Sequence, residues 1–325
     1  MMYSTLSQKK HSLDQLRPLP NELIRNLDDW FRVELTYTSN AIEGNTLTRR
    51  ETAVVIEKGL TVGGKSLKEH LEATNHSHAL DFIYSLANKS PSDLKAHDIL
   101  GIHAIILKSI DDASAGHYRN VPIRISGSAV IMPNARKVPD LMDEFHAWLT
   151  NPSGLHPVAF AGEAHYRLVT IHPFVDGNGR TARLLMNLLL ILQGYPPAII
   201  RKKDRLAYIS ALEEAQLGGS KKPYEKIIAK AVDRSLDIYL KAAKGETTNN
   251  DIDSDTLLKI GELAKAVGET IVTIRYWTKE GLLDVAKITE SGYHLYEIGM
   301  IQRCEYIKQL KKDRLTIEEI RKKLK

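Results

Sequence analysis

Helical periodicity dominates the first three quarters of the chain. Apolar residues recur at spacings of three and four over 140–149, 180–193 and 226–243, which predicts amphipathic helices. The segment 117–133 instead alternates apolar and polar positions, is rich in β-branched residues, and carries Ser-Gly-Ser at 126–128, a pattern that predicts a small β-hairpin. The pattern therefore predicts a mainly α fold with one hairpin.

A polar stretch at 243–255 interrupts the helical pattern and predicts a linker. Beyond it, a helix should end at Gly268 and a second helix should run from Thr270 to Glu280, which is the spacing of a helix-turn-helix. The segment 288–297 then predicts a two-stranded wing, followed by a basic helix. The apolar face of the first helix consists of Ile260, Leu263, Ala264 and Val267.

The composition is that of an ordinary globular protein. Of 325 residues, 43% are hydrophobic and 26% are charged. The single cysteine, Cys304, allows no disulfide within the chain and suits a reducing compartment. No apolar run is long enough to cross a membrane, and the first residues lack the apolar core of a signal peptide. We expect a cytoplasmic protein without a membrane partner.

The positive charge is unevenly distributed along the sequence. The net charge is +5, and residues 256–325, with 14 Lys and Arg against 10 Asp and Glu, carry +4 of it. A basic terminal region of this kind indicates an acidic partner, such as nucleic acid.

The segment HPFVDGNGRTAR, residues 172–183, combines glycines, arginines, a histidine and a carboxylate at the start of an apolar helix. Gly177 and Gly179, on either side of Asn178, allow the backbone N–H groups to turn inward as an anion-binding nest. Arg180 and Arg183 lie three residues apart on one helical face, where the helix dipole opposes a positive charge. A di- or triphosphate bound between the arginines and the helix end would offset this repulsion, because its negative charge attracts both.

Two more side chains of this segment suit chemistry on a bound phosphate. Asp176 faces the nest, and a carboxylate beside phosphates is a typical ligand of Mg²⁺. His172 lies just upstream, where a histidine can act as general base for a hydroxyl nucleophile.

The same segment matches, without a departure, the motif His-x-Phe-x-acid-Gly-Asn-Gly-Arg-x-x-Arg of the Fic family, and the resemblance extends from about Thr36 to Lys230. It implies a mostly helical Fic domain that uses ATP and Mg²⁺ to transfer AMP to a Ser, Thr or Tyr hydroxyl of a protein, itself included. Transfer of phosphate or phosphocholine, which divergent relatives perform, stays open. By position, the resemblance makes His172 the base, Asp176 the metal ligand, and the phosphate cradle Gly177, Asn178, Gly179, Arg180 and Arg183.

The resemblance also assigns a flap and a further nucleotide contact. The hairpin tip, Ile125, Ser126, Gly127 and Ser128, resembles the family's flap, which covers the nucleotide and pairs with an extended target segment. In related members an Asn contacts the nucleotide where this chain has Gln216, in the run LEEAQ.

An inhibitory motif is implied near the N-terminus. In TSNAIEGN, residues 38–45, Ser39 and Glu43 stand four apart at the end of a predicted helix and match the family's Ser-x-x-x-Glu-Gly motif. The resemblance implies self-inhibition, with Glu43 paired to Arg183 in place of the γ-phosphate. In some relatives such a glutamate also positions water for the removal of AMP.

The last 70 residues resemble the MerR-type winged helix-turn-helix, with Arg275, Tyr276 and Lys279 on or near the recognition helix. They depart from it at His294, where the wing usually carries Arg, and lack the long dimer helix and effector region. Two interpretations remain: DNA binding, or contacts with a protein. The first would make the chain a transcription regulator with a nucleotide-sensing Fic domain. A homodimer is one alternative for the oligomeric state.

The predicted domain limits follow from these segments. An N-terminal helical region with the inhibitory motif covers 1–105, the catalytic core 106–242, the linker 243–255, and the winged helix 256–325.

One pattern suggests a different class of enzyme. GLTVGGKS, residues 59–66, fits the P-loop pattern and follows the apolar run AVVI. A P-loop NTPase, however, requires a parallel sheet built of βαβ units, and the sequence shows no further unit of this kind.

Overall fold

The structure, a computed structural model of the chain, describes residues 2–151, 154–246, 257–289, 292–297, 300–312 and 315–324. The chain divides into two compact units, Met1–Thr248 and Asn249–Lys325, and each has its own hydrophobic core. The division falls inside the predicted linker 243–255, most of which lies outside the described residues.

The first unit is helical throughout its described residues apart from loops and turns. Its α-helices are α1 (Met2–Asp14), α2 (Asn21–Ile42), α3 (Arg49–Lys58), α4 (Leu67–Ser85), α5 (Ala96–Leu107), α6 (Val138–Thr150), α7 (Pro157–Ile171), α8 (Asn178–Leu192), α9 (Arg205–Gln216) and α10 (Lys222–Ala243). The predicted boundary between residues 105 and 106 falls within α5, whose buried residues belong to the same core as the rest of the unit. None of the described helices has the length and apolar character that crossing a bilayer requires.

Helix α8 lies at the centre of the first unit because it is buried on every side. Every residue from Arg180 to Leu190 is buried, which is the pattern of a helix surrounded by other helices. Helix α7 packs along it, and α2, α4 and α5 also contact it. Only the N-terminal end of α8 is rich in polar groups, and the candidate site lies at that end.

Helix α2 brings the predicted inhibitory segment to this end of α8. Arg205 at the start of α9 donates to the carbonyl oxygen of Ile42 at 2.6 Å. The Asn45 side chain donates to Glu72 Oε2 of α4 at 2.9 Å. The end of α2 is therefore anchored to two other helices, although it carries many polar residues.

The segment 117–133 differs from the predicted hairpin. It has the turn, with Gly127 at φ 78° and Ser128 N bonded to the Ile125 carbonyl at 3.2 Å, but no strand is assigned in it. Its backbone groups bond instead to side chains, that of Arg119 within the segment and that of Glu213 on α9, so alternation along the sequence does not produce a ladder here.

The P-loop interpretation of residues 59–66 is not supported by the fold. The run AVVI is part of helix α3 rather than a strand, Gly59 ends that helix, and Ser66 caps the start of α4. In the described residues the only sheet is antiparallel and belongs to the second unit. The described residues therefore lack the parallel sheet that a P-loop requires.

The second unit combines a helix-turn-helix with a small sheet. Helices α11 (Ile260–Val267) and α12 (Ile271–Lys279) are separated by Gly268 at φ 67°, and Thr270 caps α12 by accepting from Thr273 N. These bounds agree with the predicted helices. Strand β3 (His294–Glu297) pairs antiparallel with β2 (Lys287–Ile288), which forms the wing, and with β1 (Leu257–Lys259), which the sequence pattern does not predict. Helices α13 (Met300–Lys312) and α14 (Ile317–Lys323) follow.

Candidate active site

The loop between α7 and α8 is held in a sharply bent form. His172 ends α7 in the left-handed conformation, at φ 51°, which is uncommon for a residue with a side chain. Phe174 is buried and stacks on the ring of His103, with centroids 3.6 Å apart. The side chain of Asn178 closes the loop by bonding both the N–H and the carbonyl of Phe174, at 2.9 and 2.8 Å. The Asn178 side chain thus shapes the loop, and only its backbone N–H is left for an anion.

The imidazole of His172 is oriented for accepting a proton. Its Nδ1 lies 3.2 Å from the carbonyl oxygen of Val169, and since a carbonyl can only accept, Nδ1 carries the hydrogen. The lone pair is therefore on Nε2. Burial lowers the pKa of His172, and the charge of Arg119 adds to this, while the Val169 bond and the charges of Glu43 and Asp176 oppose it. The neutral ring is the form that a general base requires.

The backbone at the start of α8 is suited to binding an anion. Gly177 is left-handed at φ 78° and offers no side-chain cap, and the first N–H of the helix to find a backbone acceptor is that of Thr181, which bonds Gly177 O at 2.9 Å. The N–H groups before it carry the positive end of the helix dipole. A side chain at Gly177 would be strained by this φ and crowded as well, because a Cβ would lie 3.2 Å from the His103 ring.

Arg180 supplies a buried positive charge beside this helix end. Its guanidinium lies 3.2 Å from Glu72 Oε1 and 3.3 Å from Asp176 Oδ1. Its Nε is buried without a hydrogen-bond partner among the described residues. A buried donor of this kind is costly to leave unpaired, so a bound anion would stabilise it.

Asp176 lies at the mouth of the site, with its side chain 51% exposed. Its Oδ1 accepts from Gly177 N at 2.6 Å, and Oδ2 is 3.9 Å from the ammonium of Lys68. Burial opposes ionisation, but the charge of Arg180 and the Gly177 bond hold the pKa of Asp176 below its usual value. An ionised, half-exposed carboxylate beside an anion site fits the hard oxygen ligand that Mg²⁺ prefers.

Arg183 is occupied by the segment 38–45. Its Nε donates to Ser39 Oγ at 2.9 Å, and its Nη2 donates to the Ser39 carbonyl at 2.9 Å and to Glu43 Oε1 at 2.7 Å. Arg183 is buried, whereas 37% of the Glu43 side chain is exposed. The carboxylate of Glu43 therefore approaches Arg183 from the open side of the site.

Gly179 leaves the space in which Glu43 lies. Unlike Gly177, it has ordinary helical backbone, so the predicted need for positive φ does not apply to it. A Cβ at this position would overlap Glu43 Oε1 and lie 3.0 Å from Arg183 Nη1. Glycine is required here for close approach rather than for conformation.

The effect of Gly179→Ala on thermal stability should change sign when Glu43 is removed. We expect Gly179→Ala to lower the thermal stability of the wild type, because the methyl group displaces Glu43 from Arg183. In a Glu43→Gly background the same change should be neutral or stabilising by up to ~1 kcal/mol, since alanine favours a helix over glycine. Thermal unfolding of the wild type, the two single variants and the double variant measures the energetic coupling between residues 179 and 43. Equal effects in both backgrounds would show that Glu43 does not occupy this space in solution.

A buried chain of hydrogen bonds runs from Tyr224 through His165 to Tyr208, next to Arg183. Tyr224 donates to the Gly162 carbonyl at 2.8 Å, so it accepts from His165 Nδ1, also at 2.8 Å. His165 Nε2 must then accept from the Tyr208 hydroxyl at 2.7 Å, which leaves the Tyr208 oxygen facing the charge of Arg183. Burial lowers the pKa of His165 to about 3, so this histidine next to Tyr208 is neutral and places no second positive charge near Arg183.

The flap residues lie over α9. Ser128 Oγ and Ala129 N both donate to Glu213 Oε1, each at 2.8 Å, which fixes the tip. Three residues farther along α9, the Gln216 side chain donates to Thr170 Oγ1 at 3.2 Å and lies 3.4 Å from the Val169 carbonyl that His172 also uses. The amide nitrogen of Gln216 is thus bonded to α7.

The site contains residues that the sequence analysis did not identify. His103 accepts from Gly116 N and donates to the Asp176 carbonyl, both at 3.0 Å, and burial lowers its pKa to about 4. Arg119, Glu72 and Glu213 also bond to site residues. All four lie outside the motif 172–183, so no local pattern identifies them.

In the second unit, the residues predicted for DNA lie on one exposed surface. Ile274 and Trp277 of α12 are buried in the core, and the opposite face of the helix carries the exposed side chains of Arg275, Tyr276 and Lys279. A helix with its apolar face buried and a basic face exposed has the form of a recognition helix.

Comparison with known proteins agrees with both units. The Fic/DOC family model matches residues 93–190, and that of the MerR HTH family regulatory proteins matches residues 258–325. A solved structure of a Fic domain containing signaling protein from Bacteroides thetaiotaomicron is 30% identical, with a TM-score of 0.69 over 77% of this chain and 100% of that one. The chain belongs to the Fic family.

Further Fic relatives show how much of the chain is shared. Fic-1 (residues 134–508) from C. elegans is 31% identical with a TM-score of 0.68, over 75% of this chain and 72% of that one. The protein adenylyltransferase Fic of Nematostella vectensis is 40% identical over 206 residues, which are 63% of this chain and 48% of the relative. The chain thus spans about half the length of the curated relatives it matches. The MerR match adds a helix-turn-helix domain to the Fic unit.

Proposed function

We propose that the chain transfers AMP from ATP to a hydroxyl side chain of a protein, its own chain included. The observation that carries this proposal is the neutral, buried His172, with a free Nε2, beside a helix end that carries two buried arginines. The curated relatives named protein adenylyltransferase Fic support it.

In the proposed reaction the chain binds the phosphates and moves one proton. The N–H groups at the start of α8, Arg180 and Arg183 would hold the phosphates of ATP. His172 Nε2 would take the proton of the target hydroxyl as its oxygen bonds to the α-phosphorus. The bond from the α-phosphorus to the bridging oxygen then breaks, and pyrophosphate leaves. The lowered pKa of His172 favours the neutral ring that this proton transfer needs.

Asp176 would hold Mg²⁺ together with the phosphates. Among the described residues no three carboxylate, histidine or cysteine side chains are grouped as a metal site. One carboxylate is nevertheless sufficient for Mg²⁺ when substrate phosphates and water complete its shell. The ion would offset the negative charge of the phosphates during transfer.

Glu43 would inhibit this transfer from within the chain. Its carboxylate contacts the arginine that would otherwise bind the terminal phosphate, and its negative charge repels that phosphate. The same carboxylate is a candidate for orienting water in the reverse reaction, the removal of AMP from a modified protein. Loss of AMP removal in a Glu43→Gln variant would support this second activity.

Intact mass spectrometry after incubation with ATP and Mg²⁺ tests the transfer. We expect a gain of one AMP per modified site, release of pyrophosphate rather than phosphate, and no gain when EDTA removes the metal. The Glu43→Gly variant is the most sensitive form for this experiment. A gain of one phosphate, or phosphate release without a gain of mass, would reject AMP transfer in favour of another reaction.

We also propose that the second unit binds duplex DNA. The exposed basic face of α12 supports this proposal, as does the match to the MerR regulatory proteins. DNA binding would make the chain a regulator in which the Fic unit responds to ATP. A protein partner on the same face is the competing interpretation.

Salt dependence tests the DNA proposal in the full-length chain. Affinity for duplex DNA should fall steeply with salt, because each phosphate contact releases counterions. Arg275→Ala should weaken binding and reduce the slope of log affinity against log salt by about one. Lys322→Ala, which removes an exposed charge on α14, is the matched control. Absence of binding at low salt would favour a protein partner.

A further inference from the structure

Arg119 is a buried charge without a charged partner. It is 3% exposed, and no carboxylate pairs with it among the described residues. A buried guanidinium is costly unless its donors are bonded, so its hydrogen bonds must explain its position. All of those bonds go to the main chain.

The acceptors of Arg119 belong to two separate parts of the site. Its Nε donates to the carbonyl of His172 at 2.7 Å, and its backbone N–H donates to that of Pro173 at 2.8 Å. Its Nη1 donates to Val121 O at 3.1 Å and its Nη2 to Pro133 O at 2.7 Å. Val121 and Pro133 are the two ends of the flap segment 121–133, whose tip is 125–128. One side chain therefore joins both ends of this segment to the backbone of the proposed general base.

The flap depends on such anchors because it has no strand ladder of its own. Glu213 holds its tip, and Arg119 holds its base. The loop that contains His172 also requires anchoring contacts, because the left-handed backbone of His172 is unfavourable unless surrounding groups constrain it. The short bond from Arg119 to the His172 carbonyl supplies part of that constraint.

We propose that Arg119 is a positioning residue for the transfer reaction, which holds the base of the flap at a set distance from His172. A target segment lying along the flap would then present its hydroxyl to Nε2 of His172. This inference rests on the proposed AMP transfer. In this proposal Arg119 acts through the main chain of the loop and the flap rather than by contact with ATP or the target.

The variant Arg119→Lys tests this role. Lysine keeps the charge, but its compact ammonium lacks the fixed fork of donors with which the guanidinium reaches three carbonyls. In the Glu43→Gly background at saturating ATP, we expect self-labelling to slow by at least about tenfold, since small misplacements of reacting groups cost this much or more. The affinity for ATP, measured by calorimetry, should stay unchanged because the phosphate arginines are untouched.

Hydrogen exchange separates positioning from a general effect on folding. In Arg119→Lys, amide exchange should accelerate within 120–133 and at 172–174, while the rest of the first unit keeps its protection. Arg234→Lys is the matched control, because Arg234 also donates to a main-chain carbonyl, that of Ile199 at 3.1 Å, but lies on α10. It should change neither exchange at the flap nor labelling.

Two results would overturn the proposal. Unchanged exchange at 120–133 together with unchanged labelling would show that the flap does not depend on Arg119. Faster exchange throughout the first unit would show that Arg119 only stabilises the fold. If the Glu43→Gly parent does not label at all, AMP transfer fails as the function, and exchange at the flap still decides whether Arg119 holds it.

Discussion

Replacing Glu43 with glycine is expected to raise self-modification with AMP by at least about tenfold, which corresponds to only ~1.4 kcal/mol. Removing one partner of a sheltered ion pair ordinarily costs ~3–5 kcal/mol, because a charge is left alone. The Glu43 side chain is 37% exposed, so solvent screens the pair and the cost is smaller here. The freed Arg183 would not stay alone, because the terminal phosphate of ATP can form a charge-assisted contact with it.

Self-labelling of wild type and Glu43→Gly, side by side, measures this effect. Glu22→Gly is the matched control, since Glu22 is exposed in the first turn of the same helix, at the opposite end from Glu43. The Glu43→Gly/His172→Ala double variant should show no labelling. If Glu43→Gly labels no more than wild type, Glu43 only ends the helix, and the self-inhibition proposal is wrong.

Replacing His172 with alanine should abolish transfer while ATP still binds. The phosphates would be held by Arg180, Arg183 and the N–H groups of α8, whereas His172 would only take the proton of the hydroxyl. Loss of a general base typically costs ~10²–10⁴ in rate. Labelling with radioactive ATP in the Glu43→Gly background measures the rate, and calorimetry measures ATP affinity.

The exposed His97 on α5 provides the control for this variant, because its side chain is 76% exposed and lies beside its neighbour Asp98, away from the motif 172–183 in the sequence. His97→Ala should label like its parent. Labelling of His172→Ala at the parent rate would reject the assignment of the base. Loss of ATP binding together with labelling would mean that His172 shapes the phosphate site rather than acting as the base.

Local features of the sequence were sufficient to predict several helices and the set of polar side chains in the motif 172–183. The amphipathic period predicts helices over 140–149, 180–193 and 226–243, and the structure has α6, α8 and α10 there. Gly268 and Thr270 delimit the helix-turn-helix correctly because a left-handed glycine and a capping hydroxyl act within a few residues. The contiguous motif 172–183 likewise contains the proposed base, the carboxylate and both arginines.

The flap shows where alternation along the sequence misleads. Residues 117–133 have the composition of a hairpin, yet no strand ladder forms among them. The Pro133 carbonyl accepts from the side chain of Arg119, and the tip bonds to Glu213 of α9. A strand requires a partner at the right distance, and packing decides whether one is present. Strand β1 is the opposite case, since three residues without a clear pattern pair with β3.

The sequence by itself determined the local elements and the set of reactive side chains at the start of α8. The tertiary structure decided what those side chains do. Glu43 and Arg183 are 140 positions apart, and only the packing of α2 against α8 brings their charges within 2.7 Å. The shape of the loop that carries His172 likewise depends on His103 and Arg119, which are distant from it in the sequence. Periodicity indicates which face of one segment is buried. Long-range hydrogen bonds and ion pairs join segments that are distant in the sequence, so they become visible only in the folded chain.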